Sequence, residues 1–459
     1  MNDPTLGSHP AATSQALILG LILALSTLFL PRRYALIPII LATCFLPLAG
    51  KYALGGLNFS MLRVVVTLAW VRILVRNEQR SFQWLRLDYA VLMWSAARVL
   101  AFTVLWLNSA AAINAVGYAY DDIGLYFAFR ILLKDAEDFK RIFKVFALIF
   151  LPLAILLYLE KVSGRDPFCV FGGVPEFPEV REGVIRCQGP FGHPILAGTF
   201  GAVWLPLFLG LWLQGKGCRL IAAIGIFSST LITAVAGSSG PIGSYAAGII
   251  GMALWGMRYQ MRLIRWGIVL AIVALDLVMK DPVWFIFARI DVLSGSTGWH
   301  RANLIDRVIA NFSDWWLIGA RDIAKWGIFA GDTTNQFIAE GIRAGIFNMM
   351  LFVWMIVIGF SYLGTALRAA KTAPKRYRLL LWSIGVALFA HVVSFFGVSY
   401  FDQNIVNFFL TLAIIATAFQ RRPDRQPVCV SKELDGEFYD SKDLCGSYKQ
   451  PAFSSSSTR

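Results

Sequence analysis

An all-α, polytopic membrane fold is what the sequence predicts, on three observations. Of 459 residues, 57% are hydrophobic and only 15% charged, whereas soluble domains carry about 25% charged residues. The apolar residues fall in blocks long enough to cross a bilayer, which takes about 20 residues at roughly 1.5 Å of rise each. Basic residues collect in short stretches between those blocks, the positive-inside pattern of a chain threaded repeatedly through a membrane. A transmembrane helical bundle of about 12–13 spans with one large external loop is therefore expected.

The apolar blocks run at 15–30, 34–50, 59–75, 88–106, 110–132, 143–159, 192–213, 219–236, 241–257, 264–280, 344–364, 379–398 and 403–420. Residues 1–14 form a short N-terminal segment without the basic n-region of a cleavable signal peptide, so none is expected. Basic linkers at 72–86, 130–144, 216–219, 258–265 and 368–378, and the start of the tail at 421–425, share one side if the spans alternate from Arg76 onward. That side reads as the cytoplasm, with the C-terminus in it. The orientation of the first two spans stays open.

The same alternation puts two long loops, 160–191 and 281–343, on the opposite side. The second is too long for a connector and too rich in Trp and Ile for disorder. Helices are expected over 300–312 and from Thr334 into the next span, the latter capped by Asp332 or Thr333. Residues 15–420 form one transmembrane domain. The polar remainder, 421–459, has nothing to bury in a core and reads as a disordered cytoplasmic tail. No internal repeat is evident, which weighs against secondary transporters built from related halves.

A net charge of +14 would point to nucleic acid in a soluble protein, but here the basic linkers account for it, so no nucleic-acid partner is expected. Four His and six Cys without a CxxC pair give no metal site, and nothing calls for a cofactor. Arg98 lies mid-span, and Asp121 and Asp122 lie midway along the next. An antiparallel hairpin turning near Ser109 would set Arg98 level with Asp121, and charges inside a membrane usually pair. Such a pair is either structural or part of a substrate path. Cys169 and Cys187 share the first long loop. A disulfide closing about 18 residues would contribute roughly 3 kcal/mol in an oxidising compartment.

The external loops also gather Arg186, His193, His300, Arg301, Arg307, Arg321, Asp332 and Glu340. The guanidinium fork suits phosphate, and a neighbouring carboxylate or imidazole could take a proton from a sugar hydroxyl. Solvated loop charges would have the same composition.

Three stretches go further. They are Arg186-Cys-Gln-Gly-Pro-Phe-Gly-His-Pro-Ile-Leu-Ala-Gly198, Leu231-Ile-Thr-Ala-Val-Ala-Gly-Ser-Ser-Gly-Pro241, and Trp316-Leu-Ile-Gly-Ala320 followed by Asp332-Thr-Thr-Asn-Gln-Phe-Ile-Ala-Glu-Gly-Ile-Arg-Ala-Gly345. In this order and topology they resemble the O-antigen ligase and polysaccharide polymerase family, over residues 120–415. The resemblance implies a multi-pass glycosyltransferase of the bacterial inner membrane with periplasmic long loops. It would move a glycan from undecaprenyl diphosphate to a hydroxyl of an acceptor glycan or lipid, in O-antigen or exopolysaccharide biosynthesis, beside other polysaccharide export proteins. Neither nucleotide sugar nor metal is implied. By the same resemblance Arg186 and Arg301, with Arg321 as a rival, hold the diphosphate, and His193, Asn335 and Glu340 support them.

Two departures matter. Ligases carry His-Asn near the end of the large loop, where this chain has Thr334-Asn335. The Ser-Arg-Gly turn reads Ser238-Ser-Gly240. Losing that His removes the usual proposed base and favours a polymerase or an exopolysaccharide relative over a lipid A–core ligase. Asp332 is the expected substitute base, with His300 second. A transporter or flippase of lipid-linked glycans, or a non-catalytic subunit of an export complex, remain the alternatives. A transporter would place its titratable residues along the spans, an enzyme in the loops.

Overall fold

The computed structural model describes residues 12–50, 52–54, 57–286, 297–327 and 333–422. Across these the chain is all-α, apart from two small hairpins. The helices are α1 (Ser14–Phe29), α2 (Ile37–Phe45), α3 (Met61–Val75), α4 (Arg86–Trp106), α5 (Ser109–Leu132), α6 (Ala136–Ser163), α7 (Pro194–Trp212), α8 (Lys216–Val235), α9 (Ser239–Ala253), α10 (Met261–Val278), α11 (Thr297–Ala310), α12 (Phe312–Trp315), α13 (Gln336–Ala369), α14 (Lys375–Phe395) and α15 (Gln403–Gln420). The hairpins pair β1 (Tyr52–Leu54) with β2 (Leu57–Phe59), and β3 (Glu179–Arg181) with β4 (Val184–Arg186).

Among the described residues, seven helices are long and apolar enough to cross a membrane: α4, α6, α7, α8, α13, α14 and α15. The other apolar blocks fold into helices that are shorter or more charged. α1, α2, α3 and α9 have 16, 9, 15 and 15 residues. α5 carries Asp121, Asp122 and Arg130, and α10 carries Arg262, Arg265 and Asp276. α10 also buries no residue within the chain.

α7 is the central element, with nearly all of its residues buried. Phe143, Phe146 and Phe150, at helical spacing on α6, meet Phe200, Trp204 and Phe208 on α7. The Phe146 and Trp204 rings stack at 3.7 Å, and those of Phe150 and Phe200 at 5.3 Å. Van der Waals packing of this kind holds helices together where lipid is as apolar as the side chains. Near its outset α7 crosses α9 so closely that a Cβ on Gly198 would stand 2.8 Å from Pro241.

Hydrogen bonds sort the connections into two ends. At one end Arg32 donates to the Leu132 carbonyl at 2.7 Å, Arg130 to Gln420 at 2.6 Å, and Gln214 to the Arg376 carbonyl at 3.1 Å. These join the basic linkers. At the other end lie both long loops with the 236–240 and 396–402 connections. The Thr13 amide donates to the Phe171 carbonyl there at 3.1 Å, so α1 starts at the long-loop end.

The second long loop has its own small core of Leu304, Val308, Trp315, Ile323, Trp326 and Ile342. It docks on a break in α13, where Gly345 takes φ +81°. The Ala320 amide donates to the Ile342 carbonyl and the Ile346 amide to the Trp316 carbonyl, each at 2.8 Å.

Three expectations change. Arg98 pairs with Asp122, not Asp121. Asp121 instead accepts from Arg63 of α3 at 2.6 and 2.8 Å. Adjacent residues point about 100° apart on a helix, so the two aspartates face different neighbours. The cap of α13 is Asn335, whose Oδ1 accepts from the Phe337 and Ile338 amides at 2.9 and 3.2 Å. Asp332 lies outside the described residues. Cys169 and Cys187 are free thiols. Cys169 sits in a short turn of helix, Pro167–Phe171, while Cys187 is buried with its amide on the Val235 carbonyl, so separate elements hold the two thiols. Burial pushes the Cys187 thiol up, to about 12. The tail beyond residue 422 lies outside the described residues.

Candidate anion site at the long-loop end

Glu179-Val-Arg181 and Val184-Ile-Arg186 form the two arms of a short antiparallel hairpin about Glu182-Gly183. Both turn residues have positive φ, 52° and 77°, as a two-residue hairpin turn requires. The register sets Glu179 directly opposite Arg186. Arg186 is buried, and its Nη1 donates to the two Glu179 carboxylate oxygens at 2.9 and 3.0 Å. Its Nη2 donates to Ser238 Oγ, and its buried Nε has no acceptor.

The residues after Arg186 are anchored from below. Glu160, buried at the end of α6, accepts from the Gln188 and Gly189 amides, each at 2.9 Å. Asp166 is buried beside it. Burial first, then the Glu160 charge, push the Asp166 carboxyl up to about 8, against the pull of the Phe168 amide bond.

Ser238 occupies the N-cap position of α9. Arg301, from α11 in the other long loop, approaches the same turn. Its Nη2 lies 3.4 Å from where a Cβ on Gly240 would stand, and 3.7 Å from the equivalent point on Gly397. His193 caps α7, its Nδ1 accepting from the Ile195 amide at 3.2 Å. In the neutral ring the proton therefore sits on Nε2, which is 3.7 Å from Glu179 Oε2. Burial in the loop backbone, with Arg186 and Arg181 nearby, lowers the His193 pKa below the usual imidazole value, against the pull of Glu179. Two guanidinium groups thus meet the N-termini of α7 and α9, where unsatisfied N–H groups and helix dipoles favour negative charge.

Of the residues singled out in the sequence, the structure brings Arg186, Arg301 and His193 together. Arg321 is held elsewhere, its Nε donating to the Leu105 carbonyl in the last turn of α4. His300 precedes Arg301 on α11 and so points to a different side of that helix. Glu340 is fully buried and accepts from Trp94, Gln336 and Asn348 at 2.9, 2.6 and 2.8 Å, which makes it a structural carboxylate between α4 and α13. Asn335 is a helix cap. Glu179 was not singled out, although the two-residue turn at Glu182-Gly183 places it opposite Arg186. Ser238 stood out only for the Arg that does not follow it.

No family model matches this chain, and no curated protein matches it.

Proposed function

We propose that this protein is a membrane-embedded glycosyltransferase of the polymerase or ligase type. It moves a glycan from a lipid diphosphate to an acceptor hydroxyl at the outer face of the bacterial inner membrane. The observation that carries this reading is the meeting of Arg186 and Arg301, from two separate long loops, at the Ser238 turn. A diphosphate leaving group needs several fixed donors, and the two arginines with two helix N-termini supply them. The donor carries its own leaving group, so positioning and charge stabilisation account for most of the rate expected of the protein. Asp332 remains the proposed base, with His300 second.

The test is deletion of the gene followed by analysis of surface polysaccharide length, with complementation by wild type and by Arg186→Ala. Wild type should restore long chains and Arg186→Ala should not. Unchanged polysaccharide in the deletion strain would sink the reading.

A second reading, passage of lipid-linked glycans across the membrane, draws on the buried Arg98–Asp122 pair beside Trp94 and Glu340. Every one of those groups already has a partner within the protein, which favours a structural role.

A further inference from the structure

We propose that the corner formed by Arg258, Lys371 and Arg378 binds the phosphate headgroup of an anionic phospholipid, drawn from the leaflet at the basic-linker end. The inference rests on the membrane fold and is independent of the reaction proposed above.

Cations at this end fall into two groups. Around α3 and α6 they have carboxylates beside them: Arg72 pairs with Glu78, Arg32 and Arg141 with Asp138, and Lys140 with Glu137. The corner where α9, α10 and α14 come together is different. Its segments belong to stretches without acids, since no Asp or Glu occurs in residues 183–275 or 341–401. None of Arg258, Lys371 and Arg378 has an ion pair among the described residues.

The corner is also built. Arg258 lies in the short helical turn Leu254–Gln260, its guanidinium carbon 4.3 Å from the centres of both the Trp255 and Tyr259 rings. Its Nη1 donates to the Trp255 carbonyl at 3.0 Å and its Nη2 to the Tyr259 hydroxyl at 3.2 Å, so neither acceptor is a carboxylate. Trp255 meets Trp382 of α14 edge-on at 5.8 Å, and Trp382 donates to the Gly251 carbonyl of α9 at 2.9 Å. Arg258 first, then Arg378 and Lys371, lower the Tyr259 phenol below its usual pKa, which sets the three cations around one ring. The Arg378 Nε is buried and has no acceptor.

Location selects a lipid as the occupant. Trp and Tyr collect where a membrane meets water. α10 starts at this corner, buries no residue within the chain and leaves Leu263, Trp266 and Leu270 exposed. A phospholipid can therefore lay its acyl chains along α10 while its phosphate meets the cations. A soluble anion would find the cations but leave the apolar face uncovered. The other acidic candidate is the chain's own stretch 433–443, with five acids and one Lys.

Native mass spectrometry of the full chain in dodecyl maltoside micelles, titrated with phosphatidylglycerol or phosphatidylcholine, tests this. Wild type should retain phosphatidylglycerol in preference. Lys371→Gln, at an exposed position, should weaken that binding about fivefold, and Arg258→Gln combined with it about twentyfold or more, at about 1 kcal/mol for each cation near an anionic lipid. Arg378→Lys keeps the charge and should keep the binding. Lys140→Gln removes a cation already paired with Glu137 and should change nothing. Removal of residues 423–459 should leave the preference as it is. Equal retention of the two lipids by wild type overturns the proposal. So does a loss in Lys140→Gln as large as that in Lys371→Gln, since total charge would then suffice. A gain of about tenfold on removal of the tail would make the acidic stretch the occupant and overturn it as well.

Discussion

A buried guanidinium is costly unless its N–H groups find acceptors, and Arg186 has three groups of donors but acceptors for two. Losing a charge-assisted bond to phosphate costs roughly 1.5–3 kcal/mol, or about ten- to a hundred-fold in rate. Arg186→Ala should lower conversion of lipid-diphosphate-linked repeat units in membranes by that much. Arg186→Lys should be nearly as damaging, because an ammonium cannot reproduce the planar donor set. Full activity of either variant at matched expression would remove Arg186 from the site. Asp166 makes a separate prediction. Its pKa is raised from an ordinary 3.8 to about 8, so the native state binds its proton more tightly than the unfolded chain does. The associated stability is complete below the unfolded value and is lost as pH rises through the folded one. The melting temperature of the solubilised protein should therefore fall between roughly pH 5 and pH 8. Asp166→Asn should flatten that slope, and a variant with the full wild-type slope would show that Asp166 does not cause it.

Elements that hold the site in place differ in how clearly the sequence announces them. Helix content was plain from apolar blocks, and a helix was expected over 300–312, where α11 forms. Helix length was not plain, because an apolar block such as 34–50 reads as one continuous helix while the chain folds it as the nine-residue α2 followed by a turn toward β1. The partner of Arg98 depended on which of two adjacent aspartates faced α4, a rotation that depth alone does not fix. The convergence of Arg186 and Arg301 was expected, but its frame was hidden, since it needs the close α7–α9 crossing and the Ser238 turn. The break in α13 was hidden too: Ala344-Gly345 lies inside an apolar run, and only the docking of residues 316–320 against it demands a positive φ. A Cβ on Gly345 would stand 2.2 Å from the Leu317 carbonyl oxygen, and the left-handed conformation alone costs a side chain on the order of 1–3 kcal/mol. Gly345→Ala should release the second long loop from α13. Limited proteolysis should then cut between residues 313 and 327 faster than in wild type. Asn335→Ala, which removes the cap, should cost about 1 kcal/mol, and Asn335→Asp should be close to silent. Unaltered cleavage in Gly345→Ala would show that the break tolerates a side chain.

At the scale of the whole molecule, the useful fact is that the two ends differ in kind. One end gathers basic linkers, joined by Arg32, Arg130 and Gln214. The other gathers both long loops, the N-termini of α7 and α9, and the start of α1. Basic linkers stay in the cytoplasm because moving Lys and Arg across the membrane during insertion is unfavourable. Applied to a structure that fixes which described connections share an end, that rule predicts the side of each of them at once. It also reaches a helix on which charge in the sequence was silent: the Thr13–Phe171 hydrogen bond ties the beginning of α1 to the first long loop, so the rule predicts the start of α1 on the same, outer side. The prediction is a set of fusions to a reporter that is active only outside the cytoplasm. Fusions after Gly173 and Ser313 should be active, and so should one joined ahead of Ser14 through its own leading span. Fusions after Lys216 and Lys371 should be inactive. The N-terminal fusion is the discriminating one, since the loop fusions follow from charge alone while this one follows from the packing of α1. A cytoplasmic N-terminus with external long loops would mean that α1 enters the bundle from the opposite end. A cytoplasmic signal from both long loops would place Arg186 and Arg301 on the wrong side of the membrane for the proposed reaction.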